Sequence, residues 1–349
     1  MALIHLFTLR CYMRRVLPLA LALLLAGTGP APAQPALQTA DLGPCALESG
    51  AVIEGCRIGY RTAGTLNATR SNAVLMPTWF SGTSGALVGQ LGPEGLVDTT
   101  RYFAVLVDAL GNGVSSSPST SARPDSTFPM FSVRDMVATQ HRLLTEHLNI
   151  DSLHAVVGLS MGGMQAFAWM TRRPDFMDKV VSITGTPRLT PQDRLLWRAE
   201  LRAFRATDPN GTRAAMKAVS AIHGLHLHTP QHLATMDSTA FRDFVSQREE
   251  HILAFDPHDW AWQIKAMLRH DVTAPFGGSL SRAAAAVEAD ALVVTVTQDH
   301  MVNPIPARRF AKEMGARQLR LDTPCGHLGT GCTADTVRAT VRRFLHPEQ

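Results

Sequence analysis

Two periods alternate along most of this chain. Short apolar runs rich in Val, Leu and Ala are separated by segments whose apolar residues recur every three or four positions. Asn72–Phe80, Tyr102–Leu110 and Leu153–Val157 read as buried strands, and Lys179–Thr186, Ala291–Thr297 and Arg317–Thr323 as further strands. Ser132–Ile150 reads as an amphipathic helix, with Val133, Met136, Val137, Leu144 and Leu148 on one stripe and a capping-box-like start at Ser132 and Asp135. Pro306–Met314 and Thr333–Leu345 read as further helices. This βαβ rhythm predicts an α/β fold around a mostly parallel sheet.

One stretch breaks the rhythm. Pro187–Ala285 shows no clear strand, is helix-prone, and is rich in Arg, His, Met and Trp. It is expected to form a helical cap, residues 187–285, inserted into a core made of residues 34–186 and 286–349. Ser115–Pro129 reads as a surface loop near the strand ends.

The beginning of the chain follows neither period. Arg10, Arg14 and Arg15 precede an apolar run, Val16–Ala26, and small residues then lead to Ala31-Pro32-Ala33. A basic start, a short apolar run and an A-x-A site are the pattern of a secretory signal peptide over residues 1–33. The run is too short for a stable span, so no lasting membrane insertion is expected after cleavage. Met13, directly before the basic pair, is an alternative start. The expected location is periplasmic or secreted.

At 349 residues, 45% hydrophobic and 18% charged, the chain can bury a full-sized core. The formal charge of +4 falls to +1 without residues 1–33, which carry three arginines and no acid. No Lys/Arg cluster points to nucleic acid. Outside the signal segment, which holds Cys11, four cysteines remain: Cys45, Cys56, Cys325 and Cys332. An even count fits an oxidising compartment. Of the three pairings, the two local ones, Cys45–Cys56 and Cys325–Cys332, are favoured because each closes a short loop.

The chemistry centres on Leu153–Met170, LHAVVGLSMGGMQAFAWM. Gly158-Leu159-Ser160-Met161-Gly162 fits G-x-S-x-G between a strand and a helix. Such a sharp turn pushes the serine oxygen out of the sheet. It also leaves the Met161 N–H at a helix N-terminus, where it can stabilise an oxyanion. A serine nucleophile needs a base and an orienting acid, and in α/β-hydrolases they follow in the order Ser, Asp/Glu, His. Asp299 follows the strand Ala291–Thr297, and His327 follows Arg317–Thr323. His327 is the expected base and Asp299 its orienting acid; His300 competes for the base but follows the wrong strand. Phe80, in the turn after an early strand, is the candidate second oxyanion donor.

The cap segment holds His223, His226, His228 and His232 at spacings that can ligate metal. No carboxylate lies among them, so neither metal nor cofactor is expected. Trp260 and Trp262 are expected to line the cap or a substrate channel.

Four stretches together resemble one family: IGYRTAGTLNATRSNAVL, FSVRDMVATQHRLL, VVGLSMGGMQAFAWM and FDPHDWAWQIKAM are similar to the homoserine O-acetyltransferase branch of the α/β-hydrolase superfamily. The resemblance implies the α/β-hydrolase fold with a helical cap. It also implies an acyl-serine at Ser160, a triad completed by Asp299 and His327, and oxyanion donors at Phe80 and Met161. It gives Arg202 a carboxylate-gripping role, because Arg202 lies six residues before Asp208-Pro209, and it leaves a homodimer open. The departures are informative. The residue after the histidine is Leu328, where family transferases carry an aspartate; Leu159 stands where they usually have glycine, and Thr78 where they have histidine. Export also separates the chain from cytosolic acetyl-CoA. The expected function is therefore a serine hydrolase acting on a small ester or acyl substrate. The alternatives are an O-acyltransferase of the homoserine O-acetyltransferase type and a non-enzymatic binding module.

Overall fold

The computed structural model describes residues 34–122, 127–207 and 213–346. The expected signal segment lies outside them. The strands are β1 (Gln38–Asp41), β2 (Cys45–Ala46), β3 (Val52–Ile53), β4 (Arg57–Ala63), β5 (Ala73–Pro77), β6 (Phe103–Val107), β7 (Leu153–Leu159), β8 (Met177–Ile183), β9 (Asp290–Val296) and β10 (Arg317–Leu321). Eight of them form one sheet in the order β1-β4-β6-β5-β7-β8-β9-β10, while β2 and β3 form a small ribbon. β4 runs antiparallel to β1 and β6, and the six strands from β6 to β10 are parallel.

The central parallel strands are apolar on both faces because helices cover both sides, whereas the edge strand β10, RQLRL, is mostly exposed or half-buried. On one face Leu75, Val105, Val156 and Val180 pack beneath helices α2 (Val133–Arg142) and α3 (Met161–Arg172), introduced after the short α1 (Ser84–Leu87). On the other, Val74, Leu106, Val157 and Val181 meet Leu87 of α1 and Val337 and Phe344 of the last helix. Adjacent residues such as Val74 and Leu75 thus serve opposite cores, as the two-residue period requires. Helix α2 starts as its sequence indicates: Ser132 Oγ accepts the Asp135 N–H at 3.2 Å, and Asp135 Oδ2 accepts the Ser132 N–H at 2.8 Å. It ends at Arg142, and Leu143–His147 continues as a π-helical turn.

Between β8 and β9 run α4 (Pro191–Thr207), α5 (Arg213–Leu227), α6 (Pro230–Leu233), α7 (Ser238–Leu253), α8 (Pro257–Leu268) and α9 (Leu280–Ala285). After β9 come α10 (Pro304–Glu313), β10, the short α11 (Gly329–Cys332) and α12 (Ala334–Leu345). No helix among the described residues is long and apolar enough to cross a membrane.

Ser115–Pro129 departs from the surface loop its composition suggests. Ser115, Ser116 and Ser117 are buried. Ser115 Oγ and Ser116 Oγ accept the Gly59 and Arg57 N–H groups of β4 at 3.0 and 2.8 Å, so these hydroxyls bond β4 beyond the end of its pairing with β6. The cysteines pair locally: Cys45 with Cys56 beside the β2–β3 ribbon, and Cys325 with Cys332, at Cα separations of 5.7 and 6.6 Å.

Candidate active site

Ser160 sits between β7 and α3 at φ 54°, ψ −117°, a backbone conformation that costs a non-glycine residue free energy. Two bonds hold it there: the Ser160 N–H donates to Ile183 O of β8 at 2.8 Å, and Ser160 O accepts the Met164 N–H at 2.9 Å. The turn is so sharp that strand and helix nearly touch. A β-carbon on Gly158 would lie 2.0 Å from Gly162 O, and one on Gly162 would lie 2.6 Å from Pro77 O of β5. Glycine at both positions is a steric requirement of the turn.

The two partners arrive from neighbouring strand ends. His327, in a tight turn after β10, is buried, with Nδ1 2.7 Å from Asp299 Oδ2 and Nε2 2.9 Å from Ser160 Oγ. Asp299 follows β9. Its Oδ1 accepts the Met301 and Val302 N–H groups at 3.0 and 2.9 Å, leaving Oδ2 for the imidazole. The inserted helices steady both loops. Asp193 of α4 accepts the Asn303 N–H at 2.9 Å, and burial, with Asp299 adding repulsion, raises its carboxyl above the usual range. Thr229, before α6, donates its hydroxyl to Pro324 O, and the Cys325–Cys332 bridge brackets His327.

Phe80 lies in the turn after β5, and Met161 is the first residue of α3. Neither main-chain N–H bonds to another backbone group among the described residues. The Phe80 turn is clamped from two directions. Gln263 of α8 accepts the Ser81 N–H at 2.8 Å and donates to Leu110 O at 3.2 Å. Below it runs a buried relay. The Trp169 indole donates to Gln140 Oε1 at 2.8 Å, Gln140 Nε2 to Gln165 Oε1 at 2.6 Å, and Gln165 Nε2 to Thr78 O at 2.9 Å. These three glutamines were not singled out in the sequence. Their signal is faint: a polar residue on an otherwise apolar helix face.

Above Ser160 opens a cleft of about 280 Å³, at the small end for a ligand site. Trp79, Phe80 and Leu328 line it from the core side, and Trp197, His223 and Arg248 from the inserted helices. Leu328 is 41% exposed. Trp260 and Trp262 are buried behind this wall instead of lining it. The Trp260 indole donates to Glu200 at 3.1 Å and packs edge-on against Phe80.

Arg202 is a correction. It is exposed on α4 and is not among the cleft-lining residues. The inward face of α4 carries Asp193, Leu196, Trp197, Glu200 and Phe204, all buried at helical spacing. Arg202 lies two positions from Glu200, about 200° around the axis. The cap histidines do not converge. His223 Nδ1 is 3.0 Å from Glu200 Oε1, His226 bonds Ile222 O, and His228 stacks on His232 with ring centroids 4.6 Å apart. Among the described residues no group of three or more His, Cys, Asp or Glu is placed to hold a metal.

The profile of the alpha/beta hydrolase fold family matches residues 85–330. The chain belongs to the α/β-hydrolase fold family. This α/β hydrolase is 34% identical to a probable esterase of Corynebacterium glutamicum, over 84% of this chain and 89% of the relative. It is 31% identical to a homoserine O-succinyltransferase of Methylibium petroleiphilum, over 81% of this chain and 86% of that enzyme. Among solved structures, the acetyl esterase MekB superposes with a TM-score of 0.84 at 29% identity, covering 89% of this chain and 97% of the esterase. The hydrolase is therefore an enzyme of the esterase and homoserine O-acyltransferase group, as its motifs suggest.

Proposed function

We propose that this enzyme is an exported carboxylic-ester hydrolase for small esters. One observation carries the reading: an imidazole within hydrogen-bond reach of both Ser160 Oγ and Asp299 Oδ2, at the floor of a small cleft. Ser160 Oγ attacks the ester carbonyl while its proton passes to His327 Nε2. Asp299 accepts the Nδ1–H throughout and stabilises the imidazolium. The Phe80 and Met161 amides donate to the oxyanion. Collapse expels the alcohol, protonated by His327, and leaves acyl-Ser160. His327 then takes a proton from water, whose oxygen attacks the acyl carbon, and the acid departs as Ser160 is reprotonated. Export rests on the leader pattern of residues 1–33, and the two disulfides fit an oxidising compartment.

Acyl transfer to an alcohol is the second reading, supported by the homoserine O-succinyltransferase relative. Both share the acyl-enzyme and differ in what attacks it. Leu328 at the cleft favours water, because an apolar side chain beside His327 gives a cationic acceptor amine no partner. Purified protein lacking residues 1–33 should hydrolyse p-nitrophenyl acetate, and a fluorophosphonate should label it but not Ser160→Ala. Equal labelling of both, or O-acetylhomoserine as the main product from acetyl-CoA and homoserine, would overturn the proposal.

A further inference from the structure

The wall that the inserted helices give the cleft holds two donors with nothing to donate to. Trp197 Nε1 and Arg248 Nε are both buried and make no hydrogen bond, and both residues line the cleft above Ser160. Buried polar groups in folded proteins are almost always paired, and an unpaired one costs free energy. Of the seven such atoms among the described residues, these two belong to side chains that line the cleft, where a ligand can supply acceptors.

Arg248 is also uncompensated in charge. It lies on α7 one turn before the buried Ile252, so the helix turns it inward. It forms no ion pair among the described residues, and burial lowers its pKa. No Asp or Glu lines the cleft. Two acids of the surrounding helices are committed elsewhere. Glu200 accepts both the Trp260 indole and His223, and Glu249 pairs with Lys217 at 2.6 Å. Two ionisable neighbours, His228 and His251, have their pKa values lowered chiefly by burial and further by nearby positive charge, His232 and Arg248 for His228, which falls to about 4, and Arg248 and His223 for His251. Neither is an anion.

We propose that Arg248, with Trp197 on the wall of the same cleft, is a specificity-determining subsite for a carboxylate carried by the substrate, so that the preferred esters are half-charged ones. The proposal rests on the ester-hydrolase reading above and deepens it. The unoccupied Nε edge of a guanidinium presents two parallel N–H groups, the geometry that a carboxylate accepts in bidentate fashion. The Trp197 indole adds a single donor, suited to a remaining lone pair. The site is separate from Arg202, which faces solvent on α4. A carboxylate there leaves the bonds made and broken at Ser160 unchanged and acts through binding alone.

The test compares neutral and charged esters on the mature enzyme. p-Nitrophenyl acetate is the neutral reference. The p-nitrophenyl monoester of succinic acid carries its carboxylate on the acyl side, and 4-acetoxybenzoate carries it on the alcohol side. Each charged ester is paired with its own methyl ester. One of the two should show kcat/KM about 10- to 100-fold above its methyl ester, the size expected for hydrogen bonds to a charged group. Whichever responds locates the carboxylate. Arg248→Met should abolish that preference, read as the ratio of each charged ester to its own methyl ester in the same variant, and Arg248→Lys should restore only part of it. Raising ionic strength should shrink the preference in the wild type, a readout that needs no variant. Turnover of neutral esters with no preference for either charged partner would overturn this proposal alone. Loss of all ester turnover would overturn the hydrolase reading with it.

Discussion

Asp299→Asn isolates the orienting role proposed for the carboxylate because asparagine keeps its shape and changes one acceptor into a donor. The structure decides which way the amide must sit. Oδ1 of Asp299 accepts two buried main-chain N–H groups, those of Met301 and Val302, and Oδ2 faces His327 Nδ1. If the amide nitrogen faced Met301 and Val302, two buried donors would lose their acceptor at about 1–3 kcal/mol each. Even the lower bound, about 2 kcal/mol together, biases the orientation roughly thirtyfold. The amide oxygen therefore stays with the backbone and the NH₂ group faces His327. A donor facing Nδ1 makes that nitrogen the acceptor and moves the ring proton to Nε2. There it points at Ser160 Oγ, 2.9 Å away, where a base is needed.

The expected loss is about 10³–10⁴ in kcat/KM, or roughly 4–5.5 kcal/mol of transition-state stabilisation. The fold should survive, because both main-chain donors keep their acceptor. The assay is p-nitrophenyl acetate hydrolysis at pH 7.5 beside a thermal melt, with fluorophosphonate labelling as a measure of Ser160 nucleophilicity. Labelling should slow in step with hydrolysis. A loss of less than tenfold in a variant that melts like the wild type would refute the reasoning. Asp299→Ala gives the contrast: it strands the Met301 and Val302 amides, so it should lower stability as well as rate.

Three further outcomes follow from the same geometry. Breaking the Cys325–Cys332 bridge with the double change Cys325→Ser, Cys332→Ser should cost about 2–3 kcal/mol for so short a loop, and kcat should fall with it because the bridge brackets His327; urea unfolding and esterase rate measure the two, and unchanged values would show the bridge to be idle. His270 is buried with its pKa held down to about 4, so it folds neutral; its contribution, about 3 kcal/mol, is present above pH 6.5 and is lost as pH falls toward 4. His270→Asn should therefore flatten the pH dependence of stability between 7 and 4.5, and equal slopes in both proteins would contradict the assignment. Leu328→Asp should divert part of the acyl group to homoserine, and product analysis showing acetate alone would mean that more than this side chain excludes the acceptor.

What the chain discloses about its site depends on how many segments each feature needs. The elbow at Ser160 is local, so its glycines, its strand and its helix can be read from one stretch. Asp299 and His327 each require only a position after a strand, and the order of the three does the rest. The sheet's central parallel strands are legible because both faces are apolar. β4 is not, because Arg57 and Arg61 interrupt its run while the buried serines that bond it beyond the end of β6 lie in a segment with loop composition.

The parts that tune the site need two or three segments at once, and their local traces are weak. Gln140 occupies the very stripe of α2 that Val137 and Leu144 define, so a polar residue on a buried face was visible, but its partners Trp169 and Gln165 lie on another helix. The arginines make the same point more sharply. Spacing from Asp208-Pro209 singles out Arg202, yet spacing along a motif carries no information about which side of a helix faces the cleft. The period of α4 does carry it: Asp193, Trp197, Glu200 and Phe204 define an inward stripe that excludes position 202. By the same rule Arg248 shares a face with Ile252, the one fully buried residue of α7. Arg248 is thus a cation on the inward side of its helix with no acid paired to it among the described residues, and the ester panel measures whether it receives the carboxylate proposed for it.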